Sequence, residues 1–174
     1  MQRYLVKCPL IFELYSYLFS FISNKFLIFM ERKRILLLLV CVIAYMMPSF
    51  GQNWQHSWAD ALQMAQREHK NIVLNFSGSD WCIPCMRMHK TFFDSEAFVN
   101  FSNEHLVIYN ADFPREKKHQ LAKELVKQNE ELADQFNKEG HFPLTILLDS
   151  SGKVLKTWTG LYKGTVDEFI AELK

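Results

Sequence analysis

Short apolar runs alternate with amphipathic stretches along most of the chain, and the runs predict four strands. Residues 72–76 form a nearly continuous apolar run, which is typical of a strand buried on both faces. Residues 106–109 have the same pattern. Residues 144–148 and 154–158 predict two further strands, and the short polar connection between them predicts an antiparallel hairpin.

Amphipathic segments predict four helices around these strands. The first begins at the capping sequence of residues 57–60 and the last at that of residues 165–168. Residues 86–93 predict a second helix, and residues 112–140 a long third helix with a charged, solvated face. The predicted inward positions of the first, third and last helices are Trp58, Ala61, Leu62, Ala65, Leu121, Leu125, Leu132, Phe136, Val166, Phe169, Ile170 and Leu173. The order of elements predicts an α/β fold, with a mixed central sheet of about four strands and helices on both faces.

A basic and apolar leader precedes this pattern. Residues 31–34 are mostly basic, residues 35–47 are apolar, and Ser49 and Gly51 are the small residues of a signal-peptidase site. We therefore predict a signal peptide over residues 30–51, with cleavage before Gln52. Its thirteen apolar residues would span only ~20 Å as a helix, less than the ~30 Å hydrocarbon core. The alternative is an uncleaved N-terminal segment that anchors the protein in the membrane.

The leader prediction sets the expected domains and compartment. Residues 1–29 are apolar and rich in aromatic residues, and we interpret them as lying upstream of the true start at Met30; a second membrane-associated segment is the alternative. Residues 52–174 are long enough for one compact domain. We expect this domain to be exported to the periplasm.

Charge and cysteine content narrow the possible functions. The chain has a formal net charge of +1, but residues 1–51 hold six of its 20 basic groups and only two of its 19 acidic groups. The remaining residues, with 14 basic and 17 acidic groups, lack the basic excess of a nucleic-acid-binding protein. Residues 52–174 contain only Cys82 and Cys85, which excludes a scaffold of several disulfides.

The most specific motif is the pair Cys82 and Cys85, placed between a strand and a helix. Backbone N–H groups at a helix start favour a thiolate over a thiol, and the thiolate is the attacking species. This placement predicts that Cys82 is the nucleophile and that Cys85, one turn further on, resolves the mixed disulfide. Pro84 fits the first turn of the helix, where its missing N–H costs little.

Other readings of the two cysteines remain open at this point. A zinc site needs about four ligands, and His89, His119 and His141 lack a paired ligand spacing. Haem attachment would need a histidine directly after Cys85, where the chain has Met86. A purely structural disulfide is the main alternative, although so short a loop removes little chain entropy. We expect no metal and no organic cofactor.

The motifs together resemble those of the thioredoxin superfamily. The sequence Trp-Cys-Ile-Pro-Cys at residues 81–85 follows a buried strand, and Phe-Pro-Leu-Thr at residues 142–145 precedes the next strand but one. Residues 76–82, which read Phe-Ser-Gly-Ser-Asp-Trp-Cys, are similar to the corresponding segment of exported bacterial thioredoxin-like proteins. The resemblance covers roughly residues 54–174 and implies a thioredoxin fold.

The resemblance also implies roles for several residues. Pro143 would be a cis-proline that faces the disulfide, and Phe142 would offer its backbone to an extended substrate segment. Trp81 would shield the sulfurs and form part of the docking surface. Phe142 departs from the smaller or β-branched residue that is usual before this proline, which bears on substrate preference rather than on the chemistry.

A second departure from the family concerns Asn75. Thioredoxins carry a buried acid on the strand below the disulfide, which relays protons to the second cysteine, and Asn75 aligns with that acid. An amide cannot titrate in this range. Asp80, Asp112 or water are the alternatives for this proton transfer.

We therefore expect an exported thiol–disulfide oxidoreductase that reduces or isomerises protein disulfides through a mixed disulfide at Cys82. The dipeptide at residues 83–84 lacks the histidine that raises oxidising power in strong periplasmic oxidants of this superfamily, which favours a reductase or isomerase. The expected partners are proteins with disulfides or thiols and a membrane redox partner, and we expect a monomer. The alternative is a thioredoxin-fold binding module without redox turnover.

Overall fold

The computed structural model describes residues 51–174, and the predicted leader lies outside this range apart from Gly51. The helices are α1 (Trp58–Glu68), α2 (Ile83–Met88), α3 (Glu96–His105), α4 (Lys123–Phe136) and α5 (Val166–Glu172). The strands are β1 (Asn71–Ser77), β2 (Leu106–Asp112), β3 (Leu144–Leu148) and β4 (Val154–Thr159). Helix α2 continues directly into a π-helical turn at His89–Phe93. Among residues 51–174, no helix is long and apolar enough to cross a membrane.

The four strands form one mixed sheet in the order β2-β1-β3-β4. Strands β1 and β2 are parallel, whereas β3 pairs antiparallel with both β1 and β4. In this register Asn75 lies opposite Asn110 of β2 on one side and Thr145 of β3 on the other. The predicted mixed sheet of four strands is confirmed.

Helices cover both faces of the sheet, as predicted, because β1 sends alternate side chains to opposite sides. One buried cluster joins α1 and α4 to one face of the sheet, and its members include Ala61, Ala65, Leu132, Ile72, Leu74 and Phe76. The other joins α2, the π-helical turn, α3 and α5 to the opposite face, and its members include Met88, Phe93, Phe98, Phe169, Leu173 and Val73.

Residues 52–55, which precede α1, are attached to the face of the sheet that α2, α3 and α5 cover. Trp54 forms a parallel bridge with Ile108 of β2, and the Gln55 N–H donates to the Ile108 carbonyl over 2.9 Å. The Gln52 side-chain amide donates to the Phe93 carbonyl over 2.9 Å. The fold therefore includes the residues that immediately follow the predicted cleavage site.

The predicted helix over residues 112–140 is too long. Residues 106–112 form β2, and α4 begins only at Lys123. Between them, the backbone N–H groups of Arg115 and Glu116 donate to the Asp80 carboxylate rather than to carbonyls of a helix. Helix α3 was not predicted, although the Ser95 hydroxyl caps it by accepting from the Phe98 N–H over 3.3 Å.

Candidate functional site: the Cys82–Cys85 disulfide

Cys82 and Cys85 are joined by a disulfide with an S–S distance of 2.06 Å and a Cα–Cα distance of 5.2 Å. Cys82 is the N-cap of α2, and the backbone N–H of Cys85 donates to the Cys82 Sγ over 3.2 Å. Pro84 lies in the first turn of α2 and is exposed. Both cysteines are nearly buried, with 4% of Cys82 and 1% of Cys85 exposed. The first sulfur therefore already accepts a hydrogen bond that would stabilise a thiolate.

The turn between β1 and α2 holds Cys82 in this position. The Gly78 carbonyl accepts the Cys82 N–H over 2.9 Å and the Trp81 N–H over 3.4 Å. A Cβ at Gly78 would overlap the Trp81 indole ring. The glycine therefore lets the indole lie against the turn that carries Cys82.

Trp81 is also held from the other side, by the loop that follows β2. Its Nε1–H donates to the Phe113 carbonyl over 2.7 Å, and the Arg115 guanidinium lies 3.8 Å from the centre of its ring. The Phe142 ring packs against the indole edge-on, with 5.4 Å between ring centres. Trp81 and Phe142 line a surface groove of about 630 Å³ between this loop and α4.

Asp80 anchors the loop that carries Arg115. Its carboxylate accepts the N–H groups of Arg115 over 2.9 Å and Glu116 over 2.8 Å, and it lies 3.3 Å from the Nδ1 of His119. The Arg115 N–H, more than any other neighbour, lowers the pKa of Asp80 from its ordinary value. The side chain is only 3% exposed. This carboxylate is therefore occupied in holding the loop.

Asn75 lies in a buried polar layer across three strands. Its Nδ2–H donates to Asn110 Oδ1 over 2.8 Å, and its Oδ1 accepts from the Thr145 hydroxyl over 3.1 Å. Asp112, at the end of β2, accepts the N–H and hydroxyl of Ser79 over 2.8 and 2.6 Å. Asp80 and Asp112 are the two acids that could replace the family's buried acid in proton transfer. Both of their carboxylates hold loop segments in place.

The Phe142–Pro143 peptide bond is cis. Pro143 is buried, and its carbonyl accepts the Gly160 N–H over 2.8 Å. Phe142 is half-buried and packs against both Trp81 and Phe113. The structure therefore brings Trp81 and Phe142 into contact beside Cys82, whereas Pro84 lies on the exposed surface of α2.

The sequence indicated His89 only as one of three histidines available to a zinc site. The structure places it four residues after Cys85 on the same helical run, and the two residues line one surface cavity of about 250 Å³. Residues four apart lie on the same helix face, so the spacing alone could have indicated this proximity. The partners of His89 on other elements had no such signal in the sequence.

Fold and site define the class of the protein as a thioredoxin-fold protein with a disulfide between two cysteines at the start of a helix. The sequence profile of the thioredoxin-like domain matches residues 58–174, and the chain belongs to this family. The resemblance seen in the motifs is thereby confirmed.

Three known proteins illustrate the relationship. The chain is 39% identical over 102 residues to the disulfide bond reductase DsbH of Chlamydia pneumoniae, and the match covers 59% of each chain. It is 32% identical to a solved structure titled DsbH oxidoreductase, with a TM-score of 0.63 and coverage of 74% of this chain and 87% of that one. A thioredoxin from Thermus thermophilus, 15% identical with a TM-score of 0.53 and coverage of 71% and 85%, shares the fold.

Proposed function

We propose that the protein is an exported thiol–disulfide oxidoreductase that reduces disulfides of other proteins. The observation that carries this proposal is the contact between the Cys85 N–H and the Cys82 Sγ at the start of α2. A backbone donor at a helix N-terminus stabilises the negative charge of a thiolate, which is the form of cysteine that attacks disulfides. A purely structural disulfide would not need this arrangement.

The reaction proceeds by two exchanges at Cys82. In the dithiol form, the Cys82 thiolate attacks a substrate disulfide, a Cys82–substrate disulfide forms, and the first substrate sulfur leaves as a thiolate. The Cys85 thiol then loses its proton and attacks the Cys82 sulfur. The second substrate sulfur leaves as a thiolate, and both substrate thiolates take up protons. The substrate gains two electrons, the Cys82–Cys85 disulfide is restored, and a dithiol donor must then reduce it.

The surface around Cys82 supports a protein substrate. Ile83 is 60% exposed and Met86 42% exposed, so apolar groups surround an otherwise buried disulfide. Exposed apolar patches commonly mark sites of protein contact. Trp81 and Phe142 continue this surface into the adjacent groove. We infer that an extended substrate segment lies here, along the backbone of Phe142 and Pro143.

The direction of the reaction and the compartment follow from separate observations. The relative from Chlamydia pneumoniae is named a disulfide bond reductase, which favours reduction here. The leader pattern of residues 30–51 favours export to the periplasm, where a membrane redox partner would supply electrons. Intact-mass analysis of the native protein should give a chain that begins at Gln52. Recovery of the uncleaved chain with the membrane fraction would instead favour an anchored protein.

Reduction of insulin disulfides by dithiothreitol tests the activity. In a chain that retains its leader, Cys8 and Cys41 would also react with thiol reagents, so both are replaced by serine in every sample. The otherwise unchanged protein should accelerate insulin reduction, and Cys82→Ser should remove the acceleration while leaving the fold intact. A binding module that uses only the surface of Trp81 and Phe142 would give the same rate in both samples.

A further inference from the structure

The cavity beside Cys85 contains a titratable group that the reaction described above does not use. Its lining includes Ser77, Ser79, Cys85, His89, Lys90, Asp94 and Asn110. At about 250 Å³ it has ample room for water, because one water molecule needs only about 10–15 Å³ of such volume. Cys85 and His89 therefore face a common cavity from successive turns of one helical run.

His89 is fixed by contacts from three parts of the fold. Its backbone N–H donates to the Cys85 carbonyl, which sets the two residues one turn apart. Its ring lies 5.3 Å from that of Trp54, in the segment before α1, and 5.2 Å from that of Phe93. The ring therefore has an apolar wall on one side and the cavity on the other.

Burial of His89 favours the neutral imidazole. Burial is the largest influence and lowers the pKa of His89 below its ordinary value of 6.5. Asp94, Asp112 and a hydrogen bond to Asn110 act in the opposite direction but do not reverse the shift. Lys90 is the remaining charged residue of the cavity lining. A neutral imidazole can accept a proton.

The other nearby polar groups are less suited to this task. Asn75 is an amide whose side-chain nitrogen and oxygen are engaged with Asn110 and Thr145. The carboxylates of Asp80 and Asp112 hold the loops described above, and neither lines this cavity. Asp94 does line it, but its side chain is exposed to solvent.

We propose that His89 accepts the proton of the Cys85 thiol, across the cavity and through water, in the step that releases substrate. This proposal rests on the proposed function. The Cys85 S–H bond breaks, the proton passes to the imidazole, and the resulting thiolate attacks Cys82. The Cys82–Cys85 bond forms as the bond from Cys82 to the substrate sulfur breaks. The departing substrate thiolate can then take the proton from the imidazolium, which returns His89 to its neutral form.

A stopped-flow reaction of the reduced full chain with dithiobis-nitrobenzoate separates the two exchanges. Cys8 and Cys41 are again replaced by serine. Attack by Cys82 releases one coloured thiolate in a phase that depends on reagent concentration. Attack by Cys85 on the mixed disulfide releases the second in a phase that does not. In Cys82→Ser the first phase should disappear, and its persistence would overturn the proposed function rather than the role of His89.

In His89→Gln the second phase should slow about 10-fold or more near pH 7. General-base catalysis typically contributes about 100-fold or more, but here solvent can still remove the proton without His89. The difference should shrink as the pH rises and more of the Cys85 thiol ionises without help. The first phase should change less than about 2-fold, and added imidazole should restore part of the lost rate. His105→Gln, which alters an exposed histidine on α3, is the matched control and should follow the parent protein.

His89→Phe provides a second variant, which keeps a ring in contact with Trp54 and Phe93, and it should slow the second phase to the same extent. An unchanged second phase in either folded variant would overturn the proposal. A slowing that stays the same at every pH, or that imidazole does not relieve, would also overturn it, because it would indicate a structural role for the ring.

Discussion

The backbone N–H of Cys85 points at the Cys82 sulfur and donates a hydrogen bond to it over 3.2 Å. The two cysteines thus differ in their hydrogen bonding, although both are nearly buried. Cys82 is the helix cap and accepts a backbone hydrogen bond, whereas Cys85 lies inside the first turn and is 1% exposed. In the proposed mechanism, this asymmetry makes Cys82 the attacking cysteine and Cys85 the resolving one.

The first prediction concerns the two thiols after reduction. We expect the pKa of the Cys82 thiol to lie below the ~8.5 of free cysteine and below that of Cys85, because the helix start stabilises the Cys82 thiolate. The measurement is the alkylation rate at each cysteine against pH, followed by peptide mass spectrometry. Cys82→Ser and Cys85→Ser, each measured alone, assign the two titrations. A Cys82 that titrates like a free thiol would contradict its role as nucleophile.

A second prediction concerns the turn that carries Cys82. Gly78→Ala introduces a Cβ that overlaps the Trp81 indole, whose other side is held by Phe113 and Arg115. We expect a loss of about 1–3 kcal/mol in the free energy of unfolding, as in other overpacked sites, together with slower insulin reduction. Urea unfolding measures the first and the turbidity assay the second.

Gln66→Ala, at an exposed position of α1, is the control for this change. It should leave both the free energy of unfolding and the rate unchanged. If Gly78→Ala behaved like this control, the indole would not be confined as the structure describes.

The extent to which the site could be predicted differs between its parts. The CxxC motif and β3 could be predicted because each depends on residues that are close together in the sequence. An apolar run bounded by Pro143 and Asp149 defines the strand. By contrast, the loop at residues 113–122 contains good helix formers and was assigned to a helix. Its conformation depends on Asp80, which lies more than thirty residues earlier in the chain.

The polar layer around Asn75 could not be predicted for the same reason. Its partners Asn110 and Thr145 belong to other strands, so their positions depend on the register of the sheet. The i, i+4 spacing of Cys85 and His89 was visible in the sequence. The Trp54 ring that covers His89 was not, because it comes from the segment before α1.

A third prediction tests the polar layer. In Asn75→Asp the introduced carboxyl would replace a donor that faces the Asn110 side-chain oxygen, in a fully buried position. We expect a loss of about 1–3 kcal/mol in the free energy of unfolding, the usual cost of a disrupted buried hydrogen bond. Burial raises the pKa of the introduced carboxyl, so the loss should be smallest below its unfolded value of about 3.9 and grow as the pH rises.

Urea unfolding between about pH 4 and 8 measures this trend, with Asn100→Asp on the exposed face of α3 as the control. The control should show a small difference from the parent protein at every pH. A pH-independent effect of Asn75→Asp would mean that water reaches the introduced carboxyl, contrary to the burial of Asn75.

A fourth prediction concerns the attachment of α5 to β4. The Glu172 carboxylate pairs with Lys156 and accepts from Trp158 Nε1 over 2.9 Å and from the Tyr162 hydroxyl over 2.7 Å. Lys156 first, and then these two donors, lower the pKa of Glu172 to about 2 from the ordinary 4.5. The carboxylate therefore stabilises the fold above about pH 4.5, and this contribution is lost as the pH falls towards about 2.

Glu172→Gln should accordingly be less stable than the parent protein above about pH 4.5, and the gap should close as the pH falls towards about 2. Thermal unfolding across this interval is the measurement. Glu104→Gln, at a largely exposed carboxylate on α3, should show almost no gap. A gap for Glu172→Gln that widened in acid would contradict the assigned contacts.

The central claim, that Cys82 exchanges directly with disulfides of other proteins, is tested most directly by trapping the mixed disulfide. The Cys85→Ser protein, with Cys8 and Cys41 also replaced by serine, is reduced, freed of reductant and mixed with insulin. Mass spectrometry should find an insulin molecule bound to Cys82 through a disulfide that dithiothreitol releases. The same protein with Cys82→Ser in place of Cys85→Ser should carry none. Failure of the Cys85→Ser protein to form this adduct, while it remains folded, would contradict the account.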